Sequence, residues 1–250
     1  MMKTIAFINQ KGGVGKTTCT MNIGAGLSKL GKKVLLIDLD PQAHLTYSLG
    51  IEAHTLQNTV YNLLKGLCRV EEIIITRNGL DLIPSSLELS GAELELSSVA
   101  GREFLLKEAL EEIQNYDYIL LDCPPSLGLL TLNALTTARE VYIPLQTEFL
   151  ALQGMSKLIS TVDIVKKRLN KNIEITGIIA TRFDNRKNLN KEVVEKIEKY
   201  FGSRLFKTFI RDNVSLAEAP SYGQTIFEYK ENSYGAKDYL NLCHEIINRG

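Results

Sequence analysis

A short apolar run near the start of the chain leads directly into a glycine-rich loop. Residues 5–8 read Ile-Ala-Phe-Ile, and residues 10–18 read Gln-Lys-Gly-Gly-Val-Gly-Lys-Thr-Thr. A strand followed by such a loop and then by a helix is the arrangement in which backbone N–H groups wrap a polyphosphate. Glycines suit the loop because they allow close approach and positive φ. This segment therefore predicts an α/β fold with a phosphate site at the end of its first strand.

The ends of the loop indicate more specific chemistry. Lys16 is expected to reach the β- and γ-phosphates and the Thr17 hydroxyl to hold Mg²⁺, with the positive end of the helix dipole beside them. The general pattern G-x-x-x-x-G-K-[ST] begins with glycine, where this chain has Gln10, and a second lysine, Lys11, stands at the head of the loop. A Lys-Gly-Gly-x-Gly-Lys-Thr loop is the deviant form of the Walker A motif.

Length and composition fit one α/β domain over residues 1–250, since the chain has 250 residues of which 44% are hydrophobic. No run approaches the ~18 apolar residues of a membrane span, and Lys3 interrupts any signal-peptide pattern. The four cysteines are scattered without a C-x-x-C pair, which favours reduced thiols in a cytosol over zinc or disulfides. We expect a cytoplasmic protein that does not bind membranes.

Charge is unevenly distributed although the net charge is zero. Residues 157–211 hold 14 basic and 6 acidic residues, a local charge of +8. Ordinary solvated helix faces could account for this, but an asymmetry of this size indicates an electropositive surface. Within it, Arg186 and Lys187 are the best candidates to touch DNA phosphates, because they lie in a polar loop before a helix. Lys196 and Lys199 are weaker candidates, since Glu192 and Glu195 lie one turn before them.

Apolar runs alternate with amphipathic stretches along the whole chain, which predicts a doubly wound, mostly parallel sheet with helices on both faces. Strands are predicted at Thr4–Ile8, Lys33–Asp38, Leu80–Ile83, Tyr118–Asp122, Val141–Pro144 and Glu174–Thr181. Helices are predicted at Lys16–Leu30, Thr59–Lys65, Gly101–Asn115, Gly128–Ala138, Leu152–Leu169, Asn188–Phe201 and Gly235–Asn248.

Two of the predicted buried strands end in carboxylates. The second predicted strand ends in Asp38-Leu39-Asp40, and in an alternating pleat both aspartates share a face and can point toward the phosphates. Asp122 ends the fourth, in the form of a Walker B motif, where a carboxylate orients the Mg²⁺ shell. The alternative roles are loop capping for the first pair and a structural network for Asp122. Cys123 beside it has no histidine placed to activate it, so packing is its expected role.

Taken together, these motifs resemble those of the ParA/Soj-type partition ATPases, within the deviant Walker A group that also includes MinD. The resemblance covers essentially the whole chain. Asp-Pro-Gln after the second strand and Glu-Ala-Pro-Ser near residue 220 favour the ParA side over MinD. The motifs that carry the resemblance are Lys11–Thr18, Asp38–Gln42, Asp122–Pro125, Thr181–Asp184 and Leu216–Ser221.

The resemblance implies roles for individual positions. Lys11 crosses a nucleotide-sandwich dimer to the partner's ATP, Asp40 positions the attacking water, and Thr17, Asp38 and Asp122 hold or support Mg²⁺. The nucleotide-binding residues would be Lys11, Gly12, Gly13, Val14, Gly15, Lys16, Thr17 and Thr18 at the phosphates, with Arg182, Arg211 and Asn213 near the base. Lys11, Lys16 and Asp40 form the catalytic set.

The same resemblance implies a biological cycle. The ATP-bound homodimer coats double-stranded DNA non-specifically in the nucleoid, and a ParB-like partner triggers hydrolysis and release, which drives chromosome or plasmid partition. The turn near the base departs from the Pro-Arg-Asn-Val-Arg frequent in the family, since it reads Arg-Asp-Asn-Val-Ser at residues 211–215. Asp212 and Ser215 therefore replace residues often credited with base or DNA contacts.

Other functions remain open at this stage. A ParA-like protein could position another cargo, and a MinD-like protein would cycle on membranes, although the polar side of the amphipathic C-terminal stretch is mixed rather than basic. That stretch is expected to dock on the body of the protein. Relatives of the nitrogenase iron protein need clustered cysteines, which these spacings do not offer. A biosynthetic ligase similar to dethiobiotin synthetase would share the fold class.

Overall fold

In the computed structural model, which describes residues 2–148, 151–152 and 154–249, the strands form one twisted layer. Within these residues the sheet has seven strands in the order β3-β4-β2-β5-β1-β6-β7, parallel throughout except for the β3–β4 pair. The strands are β1 (Lys3–Phe7), β2 (Val34–Asp38), β3 (Ile75–Arg77), β4 (Leu80–Ile83), β5 (Tyr118–Asp122), β6 (Glu140–Gln146) and β7 (Glu174–Thr181).

Helices cover both faces of this sheet. They are α1 (Lys16–Lys29), α2 (His44–Ser48), α3 (Val60–Leu64), α4 (Leu89–Glu95), α5 (Leu105–Ala109), α6 (Leu129–Thr137), α7 (Met155–Arg168), α8 (Asn188–Phe201), α9 (Val214–Glu218), α10 (Ile226–Tyr229) and α11 (Tyr234–Asn248). The predicted fold class is confirmed.

Alternate residues of each central strand enter separate apolar cores, as expected for a sheet buried on both faces. In β2, Leu35 and Ile37 pack into the core on one side, whereas Val34 and Leu36 pack into the core on the other. The C-terminal helix closes the second core, where Tyr239 is buried and its hydroxyl lies 3.4 Å from the thiol of Cys19 in α1. The predicted docking of the C-terminal stretch on the body is therefore confirmed.

The six predicted strands are all present, with ends shifted by at most two residues, but β3 was missed. It is a short edge strand joined to β4 through Asn78 and Gly79, both with positive φ. An Asn-Gly pair with this geometry is the strongest short hairpin signal. The signal was present in the sequence, but the three residues of β3 are too few to show a period.

The predicted helix Gly101–Asn115 is wrong in its length. A single 3₁₀ turn at Arg102–Phe104 leads into α5, which ends at Ala109. The chain beyond it turns so that the Tyr116 hydroxyl donates to Asp81 at 2.7 Å, a tertiary contact that overrides the helical pattern. The predicted helix Leu152–Leu169 begins instead at Met155, and position 153, which that prediction included, lies outside the described residues.

Candidate nucleotide site

The phosphate loop joins β1 to α1 near the middle of the sheet, where β1 lies between β5 and β6. Gly13 has φ 72° and Gly15, which precedes the first residue of α1, has φ 93°. A β-carbon at Gly12 or Gly13 would meet nothing within 4 Å, so the loop is open on that side. Backbone geometry rather than crowding therefore requires glycine at 13 and 15, and it leaves amide groups free to face a ligand.

Three side chains that the sequence analysis did not identify hold the loop in shape. Asn9 donates to the Pro144 carbonyl at 2.7 Å and accepts from the Lys11 amide at 3.0 Å. Gln146 donates to the carbonyl of residue 13 at 2.7 Å, and Thr181 donates to that of residue 14 at 2.9 Å. Gln146 and Thr181 end the parallel strands β6 and β7, the positions where ligand sites of such sheets form, and this was the available signal.

Lys16 and Thr17 open α1 beside the end of β5. Lys16 is buried, and within the described part of the chain its ammonium has no ion-pair partner. The Thr17 hydroxyl donates to one oxygen of Asp122 at 2.7 Å, and the Thr20 hydroxyl donates to the other at 3.3 Å. Lys16, Thr17 and Asp122 are therefore brought together, as the sequence predicted.

Asp38 and Asp122 lie side by side, since β2 and β5 are parallel and these two residues are in register. Both side chains are completely buried. Asp38 accepts from the Thr46 amide at 2.9 Å, the Thr46 hydroxyl at 2.7 Å and the Asp40 amide at 3.1 Å. Thr46 was not identified from the sequence, because nothing in a short helix after the strand marks it.

Burial is the largest influence on the pKa of both carboxyl groups. It raises the pKa of Asp38 to about 8, and the charge of Asp122 acts in the same direction. Burial also raises the pKa of Asp122 to about 7, although the hydrogen bond from Thr17 and the charge of Lys16 favour its ionised form. Ionising two buried carboxyl groups at neighbouring positions is unfavourable without a cation. A bound cation would favour the ionised form of both.

Asp40 lies just beyond the end of β2 and is half-buried. One of its carboxylate oxygens accepts from the Gln42 amide at 2.9 Å, and its own carbonyl accepts from the Ser85 hydroxyl at 2.8 Å. Its charge also raises the pKa of Asp122, so it lies close to the buried pair. Asp40 therefore caps a turn with one carboxylate oxygen, and within the described residues its other oxygen accepts no hydrogen bond.

Lys11 forms an ion pair with a residue outside this cluster. Its ammonium lies 3.1 Å from a carboxylate oxygen of Glu148, and the two side chains are 46% and 53% exposed. An ion pair this exposed contributes little to stability, on the order of 0–1 kcal/mol. Lys11 is thus held on the surface in a contact that costs little to break.

Arg182, Arg211 and Asn213 line a cavity of about 150 Å³ next to the loop, together with Gly13, Gly15 and Thr18. The Arg211 guanidinium is bound to Asp238 and lies 4.2 Å from the centre of the Tyr234 ring. Asn213 caps α9 by accepting from the Ser215 amide at 2.9 Å. The predicted base residues therefore share one cavity, but two of them are already engaged in structural contacts. Of the two positions at which this turn departs from the family pattern, Asp212 is exposed and Ser215 is buried.

Arg186 and Lys187 lie apart from the cavity, in the loop between β7 and α8, and both are exposed. Two nitrogens of Arg186 donate to Asp184 at 2.9 Å each, and Lys187 lies 4.0 Å from the same carboxylate. These contacts lower the pKa of Asp184 to about 2, the hydrogen bonds from Arg186 contributing most. The two cations therefore share one counter-charge.

Lys196 and Lys199 were ranked below Arg186 and Lys187 because the glutamates one turn before them can pair with them, and the structure does not show this pairing. Both are exposed, and neither forms an ion pair with Glu192 or Glu195 within the described residues. Exposed pairs at this spacing are worth only about 0.3–0.5 kcal/mol, which long side chains readily exchange for contact with water.

The close pairing of Asp184 with Arg186 could not be predicted from the sequence. The two residues are joined by a turn, and helical spacing rules do not apply to it.

The oxygens of Thr17, Asp38 and Asp122 suit Mg²⁺ better than a metal ion that takes all its ligands from the protein. In the part of the chain that the structure describes, no group of three or more His, Cys, Asp or Glu side chains is placed to hold a metal ion. One hydroxyl and two carboxylates on the sheet edge suit Mg²⁺, which keeps several waters and takes further ligands from phosphates. Among these residues, no helix is long and apolar enough to cross a membrane.

Comparison with known proteins identifies relatives that align with the whole chain. A family model described as an AAA domain matches residues 2–175. The sporulation initiation inhibitor protein Soj of Bacillus subtilis is 49% identical over 100% of both chains. The chromosome-partitioning ATPase Soj of Treponema pallidum is 48% identical over 100% of this chain and 98% of its own length.

A solved structure of cobyrinic acid a,c-diamide synthase from Mycobacterium smegmatis, with bound ATP analogue and magnesium, is also similar. It has a TM-score of 0.91 and 33% identity, covering 100% of this chain and 95% of that chain. The sheet and the loop define the fold as that of a P-loop nucleotide-binding protein. With relatives at 48% and 49% identity over its whole length, the chain belongs to the Soj/ParA family of chromosome-partitioning ATPases.

The buried aspartate pair predicts how stability depends on pH. Both carboxyl groups have a higher pKa in the folded protein than in the unfolded chain, so the folded state binds more protons and stability falls as pH rises through this range. Without nucleotide or Mg²⁺, we expect the free energy of unfolding to fall between about pH 5 and pH 8, by up to ~1.4 kcal/mol per pH unit for each proton.

Urea denaturation at several pH values measures this slope. Asp122→Asn is the informative variant, because the Thr17 and Thr20 hydroxyls can rotate to accept from its amide, and it should flatten the slope. Asp163→Asn, on the exposed surface of α7, is the matched control and should leave it unchanged. A wild-type protein whose stability rises over this window would contradict the assignment.

Proposed function

We propose that this chain is an ATP-dependent switch for partition, acting as a single domain over residues 1–250. It binds ATP with Mg²⁺, pairs with a second copy in the ATP-bound state, and then holds double-stranded DNA without sequence preference in the nucleoid of the cytoplasm. A ParB-like partner stimulates otherwise slow hydrolysis, and the dimer separates. Chromosomes or plasmids are thereby segregated; the name of the Treponema pallidum relative gives chromosome partitioning for that protein.

The observation that carries this proposal is the position of the second loop lysine. Lys11 stands at the head of the phosphate loop, and its exposed ammonium is in a weak surface contact with Glu148. A lysine so placed can leave that contact at little cost and reach a nucleotide in a facing copy. Lys16 neutralises phosphate charge within each copy, and Thr17, Asp38 and Asp122 are the residues that would hold Mg²⁺.

The proposed route to hydrolysis assigns separate tasks to the carboxylates. Bound Mg²⁺ would neutralise charge that develops on the phosphates. Asp38 already accepts three hydrogen bonds, from Thr46 and the Asp40 amide, so its remaining lone pair would serve Mg²⁺ rather than orient the attacking water. Asp40 keeps an oxygen available near the loop and is the group proposed to orient the attacking water.

Three other functions give different experimental results. The similar diamide synthase is a biosynthetic enzyme by its name, but its 33% identity is well below the 48–49% of the Soj relatives. A biosynthetic enzyme would turn over quickly with a small acid, whereas a switch hydrolyses slowly alone. A ParA-like protein for another cargo would keep ATP-dependent DNA binding, and a MinD-like protein would instead pellet with liposomes when ATP is present.

Asp40→Asn separates the catalytic role from the structural one. The asparagine oxygen can still accept from the Gln42 amide, so the turn is retained while the charge is lost. We expect ATP binding and the ATP-bound dimer to persist, with turnover reduced by about 100-fold, as for loss of a group that orients the nucleophile. Glu52→Gln, on the exposed surface beyond α2, is the control. Normal phosphate release by Asp40→Asn, with or without a partner, would reduce Asp40 to a turn cap.

Measuring DNA binding with and without ATP tests the proposed partition switch. We expect wild type to shift random duplexes only with ATP, and with an affinity that falls steeply as salt rises because binding releases counterions. Arg186→Ala combined with Lys187→Ala should weaken binding evenly across sequences and lower the salt dependence by about two phosphate contacts, while sparing dimerisation.

Asp184→Asn changes the charge of the same loop in the opposite direction, since it removes an anion instead of two cations. It removes the carboxylate shared by these two cations and keeps an oxygen for the Arg186 amide, so we expect tighter DNA binding. Gel shifts at two salt concentrations compare the three proteins. Unchanged affinity in the double variant, or retention of DNA that does not depend on salt, would exclude this loop from the DNA surface.

A further inference from the structure

The turn that carries Asp40 is bonded to the segment that follows the neighbouring strand β4. Strands β2 and β4 are parallel, with Ile37 in register with Ile83, so the residues that follow the two strands lie side by side. Ser85 comes two residues after Ile83 and is completely buried. Its hydroxyl donates to the Asp40 carbonyl at 2.8 Å. A buried hydroxyl from one strand end therefore holds the backbone of Asp40 at the end of another.

The backbone of this turn is strained. Ala43, at the end of the turn, is buried and has φ 51°, in the left-handed region that favours glycine. A residue with a β-carbon stays in this region only when the surrounding structure holds it there. The Ala43 amide donates to the Asp40 carbonyl at 2.8 Å, and the Gln42 amide donates to the Asp40 carboxylate at 2.9 Å. Because both bonds lie within the turn, they fix its shape but not its position relative to the sheet.

Ser85 is also connected to the residue that holds Asp38. Its amide donates to the Thr46 hydroxyl oxygen at 3.0 Å, and the Thr46 hydroxyl donates to Asp38 at 2.7 Å. The Asp38 carboxylate in turn accepts from the Asp40 amide at 3.1 Å. The four residues therefore form a closed ring of hydrogen bonds, in which Asp40 is held by its amide on one side and by its carbonyl on the other.

We propose that Ser85 is a positioning residue for ATP hydrolysis. Its hydroxyl would fix Asp40 so that the second carboxylate oxygen meets the attacking water. In this step the water oxygen bonds to the γ-phosphorus as the bond from that phosphorus to ADP breaks, and the water proton leaves with the released phosphate. A displacement of about 1 Å in a group that orients a reactant can cost up to about 100-fold in rate.

Ser85 is not among the residues that line the nucleotide cavity, so it should act on turnover and not on ATP binding. The inference rests on the proposed function in one respect, since Ser85 acts through Asp40 and the task of Asp40 is itself proposed. It goes beyond that function by assigning a role in hydrolysis to a residue outside the phosphate loop and the two carboxylate motifs.

Phosphate release by Ser85→Ala, measured over a range of Mg·ATP concentrations, tests this role. The Asp40 carbonyl keeps its bond from the Ala43 amide, so the variant leaves no buried acceptor unpaired. We expect kcat to be about tenfold below that of wild type and the KM for ATP to stay within about twofold. A group that acts only in the transition state lowers kcat and kcat/KM equally.

Ser86→Ala is the matched control. Ser86 is also buried, and its hydroxyl lies 3.3 Å from the Thr59 hydroxyl rather than bonding to Asp40. The control therefore removes a buried hydroxyl of the same kind at the next position, and its kcat should stay within about twofold of wild type. Equal loss of turnover in the two alanine variants would show a general structural effect and overturn the role of Ser85.

A double variant shows whether Ser85 acts through Asp40. Ser85→Ala combined with Asp40→Asn should hydrolyse ATP within about twofold of the rate of Asp40→Asn alone, because the positioned carboxylate is already lost. A further tenfold loss in the double variant would overturn the proposal. Light scattering with ATP should show the same dimer for Ser85→Ala as for wild type, and loss of that dimer would assign the slow turnover to assembly and also overturn it.

The outcomes distinguish this proposal from the proposed function. A slow Asp40→Asn together with a wild-type rate in Ser85→Ala would retain the role of Asp40 and overturn that of Ser85. A wild-type rate in Asp40→Asn would contradict the role that the proposed function gives to Asp40, and a slow Ser85→Ala beside it would show that Ser85 does not act through that carboxylate.

Discussion

Two aspartates, Asp38 and Asp122, end neighbouring parallel strands at the same level, and the site is organised around their burial. Neither carboxylate faces solvent. Burial raises the pKa of both, and the charge of Asp122 raises that of Asp38 further. Hydroxyl and amide donors from Thr17, Thr20 and Thr46 hold the pair in place. A buried arrangement of this kind stores unfavourable charge that a cation relieves, so stability and ligand binding are coupled in the same residues.

The rest of the machinery lies at the ends of the strands around that pair. Gln146 and Thr181 fix the loop carbonyls from β6 and β7, so the sheet sets the shape of the loop directly. The groups proposed to act between copies or on DNA lie outside this rigid frame, in exposed contacts such as Lys11 with Glu148 and Arg186 with Asp184. The exposed pair of Lys11 with Glu148 can exchange partners at little cost, which suits a switch.

Much of the fold and of the phosphate site could be predicted from the sequence, because central strands and the phosphate loop are local sequence patterns. The strand ends, the loop glycines and the proximity of Lys16, Thr17 and Asp122 follow from periodicity and from the geometry of parallel sheets. Contacts between segments distant in the chain were not predictable. Asp38 with Thr46, Arg211 with Asp238, and the shortened helix before Tyr116 depend on tertiary packing, and the pairing of Arg186 with Asp184 depends on the shape of one turn.

The most direct test of the account is the mass of the protein with and without ATP, measured by light scattering for wild type and Lys11→Ala. We expect ATP to double the mass of wild type, and Lys11→Ala to bind ATP yet remain a monomer without hydrolysis. Glu148→Gln, which frees Lys11 from its contact within the same copy, should still dimerise. An ATP-dependent dimer of Lys11→Ala equal to that of wild type would contradict the role of Lys11 between copies, and with it the proposed switch.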